Sequence, residues 1–477
     1  MKGLMVISLL VSTISFASEK IYTHLSLKDA IKIAKENNIE LEIADFDTKI
    51  QALGVKIANG YNFGKLDATL MGLRSNDAGN VFGFKLQSRE ANFGDFGFRE
   101  FLGGVGAAIS KSGGDFARFA QMMGDPNMAD RLLSTTPDDL NNPKARNHFD
   151  MKLTYMLPIF TGFKLKNYKD IATNMVELSK LNKEKVLAQK LFQIEKAYYD
   201  ISLLNRFKRS LNNIHIDMQE LERVTKEMKK EGYAKKTDLL EVRSKKANIE
   251  RMIIQTKSNL ELSYDFLSFL LNSKVKSIKS VPSNAPEFKI SLKEALDRNI
   301  DIKKAKKGFE IQSKMVDVAK STFYPTVGAF AEYGSSDDKP LNKFLDHDRY
   351  TVGLQVNYNI YNGGSDKAKI EQERLKELKV LSQVKLAKKG ISLKFKKIKS
   401  EIRNLNAQIK SLKSEVKLAK DIFETYLAQY DEGLASINDV MIKETLQIQK
   451  LLELQKIQTD RNTKILELAK LTYGEEI

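Results

Sequence analysis

The chain has 477 residues, with 78 Lys and Arg against 61 Asp and Glu, and it contains neither cysteine nor tryptophan. The lack of cysteine excludes disulfides, thiolate metal sites and a lipid anchor on an N-terminal cysteine. The formal charge of +17 would suit nucleic acid or an anionic membrane surface as partner. The lysine runs, however, alternate with apolar residues at helical spacing, which is typical of the solvated face of an extended helical protein.

The first 17 residues predict a secretory signal peptide. Lys2 precedes an apolar run, and Ser15-Phe16-Ala17 has the small-x-small form of a cleavage site. Export separates the mature chain from nucleic acid, so we expect no nucleic-acid partner. Later apolar stretches fall short of the roughly 18 to 20 residues of a membrane-spanning helix. Any membrane span of this chain is therefore expected to be β.

The mature chain is predicted to consist of two repeats, at residues 18–279 and 290–477, joined by a proline-containing linker at 280–289. The segment Ser26-Leu27-Lys28-Asp29-Ala30 returns as Ser291-Leu292-Lys293-Glu294-Ala295. Each serine is a predicted N-cap, because an acidic residue follows at the third helical position. Each repeat therefore opens with a short capped helix.

Two strands are predicted in each repeat, after the opening helices. Apolar residues step by two along 149–157 and 350–358, and shorter candidates precede them at 65–73 and 326–333. The strand pair of the second repeat occupies 326–361. Aromatic residues lie near the strand ends, as in the girdles of outer-membrane strands: Phe160, Phe323, Tyr324, Tyr333 and Tyr361.

The first repeat carries an additional segment between its strands, at about 77–147. Equivalent positions differ by 261 before the strands (Ala58 and Ala319) and by 201 after them (Gly232 and Gly433), so the insert adds 60 residues. Its many Gly and Phe residues favour packed structure over a loose loop. The insert could be a lid over the barrel mouth, a contact surface for a partner, or an extended loop without a further role. The last of these is the default interpretation.

Each repeat ends in a long helical hairpin, predicted at 163–273 and 364–472. The tips are the turns Glu231-Gly232-Tyr233-Ala234 and Glu432-Gly433-Leu434-Ala435. The outward helices have nearly 70 residues each, or about 100 Å at ~1.5 Å per residue. From Ile391 to Tyr430 the apolar steps alternate between four and three, which predicts a coiled-coil seam.

Four strands cannot close a membrane barrel, because the smallest such barrels need about eight. An open edge is not tolerated in lipid, so several chains would have to pool their strands. The alternative is two small soluble β-domains with aromatic cores. That alternative does not explain why the chain has long coiled-coil seams.

The duplicated order of helix, strand pair and long hairpin resembles the TolC-type outer membrane efflux protein family. The strand-to-helix junctions Pro158-Ile159-Phe160-Thr161-Gly162 and Asn359-Ile360-Tyr361-Asn362-Gly363 belong to that pattern. The resemblance covers essentially the whole mature chain. It implies a mainly α fold with membrane β: a homotrimer with one shared 12-stranded barrel in the outer membrane lipid and an α-helical tunnel through the periplasm.

The resemblance also implies partners and a function. The chain would be the passive exit duct of a tripartite efflux or type I secretion system, with hairpin tips that dock a periplasmic adaptor protein. An inner-membrane pump of the RND or ABC type would drive transport. Drugs, metal cations and polypeptides all leave through such ducts, so the sequence does not name the cargo.

The family's tip pattern places Gly232 with Asp238 in the first hairpin and Gly433 with Asp439 in the second. Well-known members also carry a Tyr before the second Gly, an Arg after it and another acid beyond the Asp. This sequence keeps Tyr430 and Asp439 but has Ala435 and Ile442 at the other two positions. Tyr430, Asp439 and Asp238 are thus the candidate gate, without an arginine link. Capping of the helix start is an equally good reason for Asp439.

Enzymatic motifs and cofactor sites are not expected. The four histidines, His24, His148, His215 and His347, lie in different segments without metal-ligand spacing, so no metal site is predicted. Two other classes stay open: a periplasmic coiled-coil adaptor, which would have one hairpin per chain, and a structural protein of an envelope-spanning complex.

Overall fold

A computed structural model describes residues 20–340 and 342–472. The predicted signal peptide lies outside these residues. The chain divides into two compact units. A helical unit comprises residues 20–53, 173–313 and 374–472, and a strand unit comprises residues 54–172 and 314–373.

The described chain is mainly helical, as predicted. The strands are β1 (Ile21–Tyr22), β2 (Lys65–Ser75), β3 (Arg146–Thr161), β4 (Lys274–Val275), β5 (Thr326–Asp337) and β6 (Asp348–Asn357). The helices of the first repeat are α1 (Leu27–Asn37), α2 (Ile39–Gly60), α3 (Ala78–Gln87), α4 (Phe98–Ser112), α5 (Phe116–Met123), α6 (Pro126–Leu133), α7 (Asp138–Asn141), α8 (Lys164–Lys230) and α9 (Lys236–Leu271). Those of the second repeat are α10 (Leu292–Arg298), α11 (Ile300–Lys320), α12 (Ser365–Asp431) and α13 (Ile437–Lys470).

The two hairpins of the helical unit are α8–α9 and α12–α13, and the outward helix of each has 67 residues. The predicted seam residues are buried between the helices. Ile214, Met218 and Leu221 of α8 share one apolar cluster with Phe423 and Tyr430 of α12. Helices of this length keep their register through such buried stripes, because propensity alone does not fix how they pack.

The opening helices of the two repeats begin in the same way. Ser26 accepts a hydrogen bond from the Asp29 N–H, and Ser291 forms a complete capping box with Glu294. Both helices end at an asparagine whose side-chain amide donates to the end of the returning helix of its own repeat. Asn38 reaches the Leu270 carbonyl at 2.8 Å, and Asn299 reaches the Leu471 carbonyl at 3.2 Å.

The strand unit is built on one antiparallel sheet in the order β2-β3-β5-β6. Strands of both repeats therefore pair directly, through β3 and β5, so two separate β-domains are not formed. The register joins Tyr155 to Leu66 on one side and to Ala331 on the other, and Ala331 to Val352. A bulge interrupts the β3–β5 ladder between Pro158 and Phe160.

The two faces of this sheet differ in chemistry. One face carries the predicted apolar steps, and its side chains are exposed: Leu66 66%, Leu70 66%, Tyr350 78%, Val352 72% and Leu354 71%. The other face is polar and holds cross-strand ion pairs such as Lys152–Glu332, whose Nζ and Oε2 are 3.3 Å apart. The alternating pattern thus produces an apolar face whose central residues stay exposed, while Phe344, between β5 and β6, packs against Tyr333 near one end.

The insert of the first repeat contains helices α3 to α7 and packs on the polar end of the sheet. The Phe84 ring of α3 stacks on His148 of β3, with ring centroids 4.1 Å apart. The Arg89 guanidinium donates to the Asp346 carbonyl at 2.9 Å. The segment is therefore structured, although Phe93 and Phe116 remain 78% and 81% exposed.

No helix within the described ranges combines the length and the hydropathy needed to cross a membrane.

Candidate functional site: the hairpin tips

Both hairpins reverse through turns of the same geometry. Helix α8 ends at Lys230 and α9 begins at Lys236, while α12 ends at Asp431 and α13 begins at Ile437. The residue after each glycine donates its N–H to a carbonyl of the preceding helix: Tyr233 to Met228 at 2.8 Å, and Leu434 to Gln429 at 2.7 Å. These bonds satisfy carbonyls that a helix end leaves without partners.

The turn needs glycine at one position. Gly232 has φ 83° and Gly433 has φ 73°, in the left-handed region that side chains with a Cβ rarely adopt. A Cβ built at either glycine meets no atom within 4 Å in this chain. The backbone conformation, rather than crowding within the chain, therefore requires glycine here.

The tips present matched apolar side chains to solvent. Tyr233 is 82% exposed and Leu434 is 80% exposed, and they occupy equivalent positions. The preceding Glu231 and Glu432 are exposed as well, whereas Ala234 and Ala435 are half-buried. Each tip thus offers one large apolar residue beside one carboxylate.

Asp439 caps the start of α13. Its Oδ2 accepts hydrogen bonds from the Ser436 hydroxyl at 2.6 Å and the Ser436 N–H at 3.2 Å, and these bonds lower its pKa. In the first hairpin Asp238 accepts hydrogen bonds from the Lys235 N–H at 2.8 Å and from the Thr237 hydroxyl at 3.3 Å, but Lys235 has no side-chain acceptor to complete the cap. The capping role is therefore visible, and both carboxylates remain half-exposed.

Tyr430 lies in the core of the helical unit. It is 5% exposed, and its hydroxyl donates to the Thr225 Oγ1 at 3.3 Å, which links α12 to α8. Burial raises its pKa, and the nearby Asp238 acts in the same direction. The structure therefore places Tyr430 in the packed core, within electrostatic reach of Asp238.

Two features near the tips were missed from sequence. Arg223 of α8 pairs with Glu220 at 2.5 Å and also attracts Asp431, so an arginine does act near the second tip, supplied by the first hairpin.

Helices α9 and α13 also enclose a groove of about 520 Å³. On its wall, Lys245 Nζ donates to Thr445 Oγ1 at 2.6 Å. No local motif marks contacts between residues 200 positions apart.

Glu444, next to Thr445, is a buried acid. It is 1% exposed, and its Oε1 has no hydrogen-bond partner among the described residues. Burial raises the pKa of Glu444, while the charge of Lys245 and the hydrogen bond from the Thr445 hydroxyl act in the opposite direction. The charged form is therefore penalised in the folded chain.

Replacing Glu444 by Gln should stabilise the protein at pH 7.5. A carboxyl whose folded pKa is raised costs stability while it is ionised, and this cost disappears as the pH falls below its unfolded pKa. Removing a poorly compensated buried charge is expected to gain about 1 kcal/mol. Thermal unfolding should show a higher Tm at pH 7.5 and little difference near pH 4.

The matched control is Glu241→Gln, at an exposed position on the same groove. It should leave the Tm unchanged at both pH values. An equal Tm shift for Glu444→Gln at pH 7.5 and pH 4 would contradict the electrostatic explanation.

Comparison with known proteins gives a consistent result. Residues 291–472 match the family model of the outer membrane efflux protein. The match begins at the N-cap of α10 and includes β5, β6 and the second hairpin. The predicted resemblance is thus confirmed. No curated protein sequence matches the chain.

Solved structures with the same fold include outer membrane proteins and channels. CmeC of Campylobacter jejuni has a TM-score of 0.69 at 16% identity, over 94% of this chain and 85% of that one. VceC of Vibrio cholerae has a TM-score of 0.71 at 14% identity, over 94% and 97%. CusC, described with conformational changes on folding and transmembrane channel formation, has a TM-score of 0.73 at 13% identity, over 94% and 92%. At these identities the likeness establishes the fold.

Proposed function

We propose that this chain, whose residues 291–472 form an outer membrane efflux protein domain, is the outer membrane channel of a tripartite efflux or type I secretion system. The observation that supports this most is the sheet with one largely exposed apolar face, in a chain that also carries two long hairpins. The channel is a passive duct, and an inner-membrane pump of the RND or ABC type supplies the energy.

The apolar face suits contact with lipid. Val352 and Leu354 are more than 70% exposed, and their neighbours across the strands are apolar too. A soluble protein rarely leaves such a continuous patch uncovered. In an outer membrane the same face meets acyl chains, and the polar face lines an aqueous interior.

The open edges of the sheet support a trimer. Strands β2 and β6 each have one neighbour, so the N–H and C=O groups along their outer edges have no strand partner among the described residues. In lipid these groups need partners. Pairing of β2 with β6 of another copy satisfies both edges, and three copies give twelve strands, as the family resemblance implies.

The hairpin tips are the proposed docking surface for the periplasmic adaptor. Glu231, Gly232, Tyr233 and Ala234 form one patch, and Glu432, Gly433, Leu434 and Ala435 form the other. The exposed Tyr233 and Leu434 would bury their apolar surface against the adaptor. Tyr430, Asp439 and Asp238 are proposed to control the periplasmic entrance.

The test is the mass of the purified protein in mild detergent, together with its membrane fraction. We expect it in the outer membrane, with a protein mass three times that of the 54.1 kDa precursor chain less its signal peptide. A stable folded monomer would contradict the trimeric channel. Extraction without detergent would favour the adaptor or structural alternatives.

Asp439→Asn should reduce cation preference in planar bilayer conductance. Three copies near the trimer axis would form a ring of negative charge that attracts cations. Mutual repulsion would raise their pKa values, but the bonds from Ser436 lower the pKa of Asp439 and favour a charged ring at neutral pH. Block by multivalent cations should weaken as well.

Asparagine keeps a side-chain oxygen for the Ser436 N–H, so the start of α13 should lose only ~0.5 kcal/mol. Asp421→Asn, on the exposed face of α12, serves as the control for a general loss of negative charge. Selectivity identical to wild type would leave Asp439 as a helix cap only.

A further inference from the structure

Three carboxylates meet where the insert touches the end of the sheet. Asp337 is the last residue of β5, Asp338 follows it, and Glu90 comes from the insert just after α3. One oxygen from each lies within 4.8 Å of the others. All three belong to the strand unit.

A buried histidine contacts one member of this cluster. His347 is 7% exposed, and its Nδ1 lies 3.2 Å from the Asp337 Oδ2. The ring nitrogen nevertheless has no hydrogen-bond partner within the part of the chain that the structure describes. A buried polar atom without a partner is costly, so it points to a group that completes its coordination.

The positive charges nearby are too few to neutralise the three carboxylates of the cluster. Arg146 contacts Glu90, but Arg349 is engaged by Asp150 and Ser336 on the polar face of the sheet. Asp337 also accepts the Asn342 amide at 3.2 Å and the Asp338 N–H at 2.6 Å. One arginine therefore faces three carboxylates, and Glu90 retains a second oxygen beyond the one that Arg146 contacts.

We propose that Glu90, Asp337, Asp338 and His347 bind one divalent transition-metal ion, with Zn²⁺ as the ion that fits best. Zinc takes imidazole nitrogen and carboxylate oxygen at about 2.0–2.2 Å in tetrahedral sites, where neighbouring ligands are roughly 3.3 Å apart. The 3.2 Å between His347 and Asp337 matches such an edge. The three carboxylates, whose oxygens lie within 4.8 Å of one another, would turn toward His347 to complete the site.

The donor set argues against Ca²⁺. Calcium takes six to eight oxygen ligands and does not favour imidazole. A mixed set of one nitrogen and three carboxylates is typical of the Mn²⁺-to-Zn²⁺ series. None of the ligands lies near another histidine in sequence, which explains why His347 was not expected to be a ligand.

Bound metal would fasten the insert to the sheet. Glu90 belongs to the insert, Asp337 and Asp338 end β5, and His347 precedes β6. The existing link between the same parts is Arg89, which donates to the Asp346 carbonyl and pairs with Asp348. The ion would add a cross-link between three segments, which gives the additional residues of the first repeat a structural role.

Calorimetric titration of the full-length protein in detergent tests the site, after dialysis against a chelator. We expect one Zn²⁺ per chain, and Co²⁺ in its place should give visible absorption of a four-coordinate site. His347→Gln and Asp338→Asn should each weaken Zn²⁺ binding by at least about tenfold. The control Asp346→Asn removes an exposed carboxylate beside His347 and should bind as wild type.

Wild-type protein that binds no Zn²⁺, or that binds Ca²⁺ in its place, would overturn the proposal. Equal Zn²⁺ affinity of wild type and both ligand variants would overturn it as well. Asp338 is only half-buried, so its variant keeps the test decisive if His347→Gln does not fold.

Discussion

Valine in place of both Gly232 and Gly433 should abolish export while the trimer remains intact. Both glycines have positive φ, where a β-branched residue is strained by about 1–3 kcal/mol. The turn would have to change its path, which would move Tyr233 and Leu434 away from the adaptor. The space around each glycine is open, so the helices themselves need not move.

The measurement is photo-crosslinking from a reactive residue at position 233 or 434 to the adaptor, together with export in a strain that lacks the native gene. Crosslinks and export should both fall to background for the valine double variant, with unchanged trimer mass in detergent. Unchanged export would refute the docking role of the tips.

Asparagine at the same positions separates two explanations. Asparagine adopts the left-handed region more readily than valine and so preserves the turn. Export by the asparagine variant would mean that the backbone conformation is what the adaptor needs. Loss of export in both variants would mean that the adaptor packs against the space where a Cβ would lie.

Val352→Arg should remove the protein from the outer membrane. Val352 is 72% exposed at the middle of β6 and lies on the apolar face of the sheet. An arginine on the lipid face of a membrane strand costs about 2–4 kcal/mol near the midplane. The variant would occur three times in each trimer, so assembly should fail and the outer-membrane fraction should lose the trimer band.

Thr351→Arg is the matched control. It lies one residue away on the opposite face, where Glu332 pairs with it across the strands. The charge would then face the aqueous interior and should be tolerated. A similar loss of trimer in both variants would contradict the assignment of the two faces, and a normal trimer in Val352→Arg would contradict contact with lipid.

The sequence alone gives most of the repeat architecture, because its signals are local and occur twice. Ser26 and Ser291 mark helix starts, and Asn38 and Asn299 recur at the ends of those helices. The period-two steps of 149–157 and 350–358 predicted strands that extend over Arg146–Thr161 and Asp348–Asn357. Each of these signals depends on neighbouring residues.

Contacts between distant segments were not predictable in this way. The hydrogen bond from Tyr430 to Thr225 joins residues 205 positions apart, and only the packing of the hairpins brings them together. Glu444 has the sequence context of a surface acid on an amphipathic helix, and only the packing of the whole fold leaves it 1% exposed. The direct pairing of β3 with β5 likewise depends on the fold as a whole.

The two edge strands of the sheet belong to different repeats: β2 comes from the first repeat and β6 from the second. Contacts between copies would therefore be head to tail, a type that either closes into a ring or propagates without end. A closed ring mixes its subunits at random when two alleles are expressed. In the proposed ring of three copies, equal amounts of a defective and a normal allele would leave about one ring in eight with normal subunits alone, so a tip-defective allele should act as dominant negative.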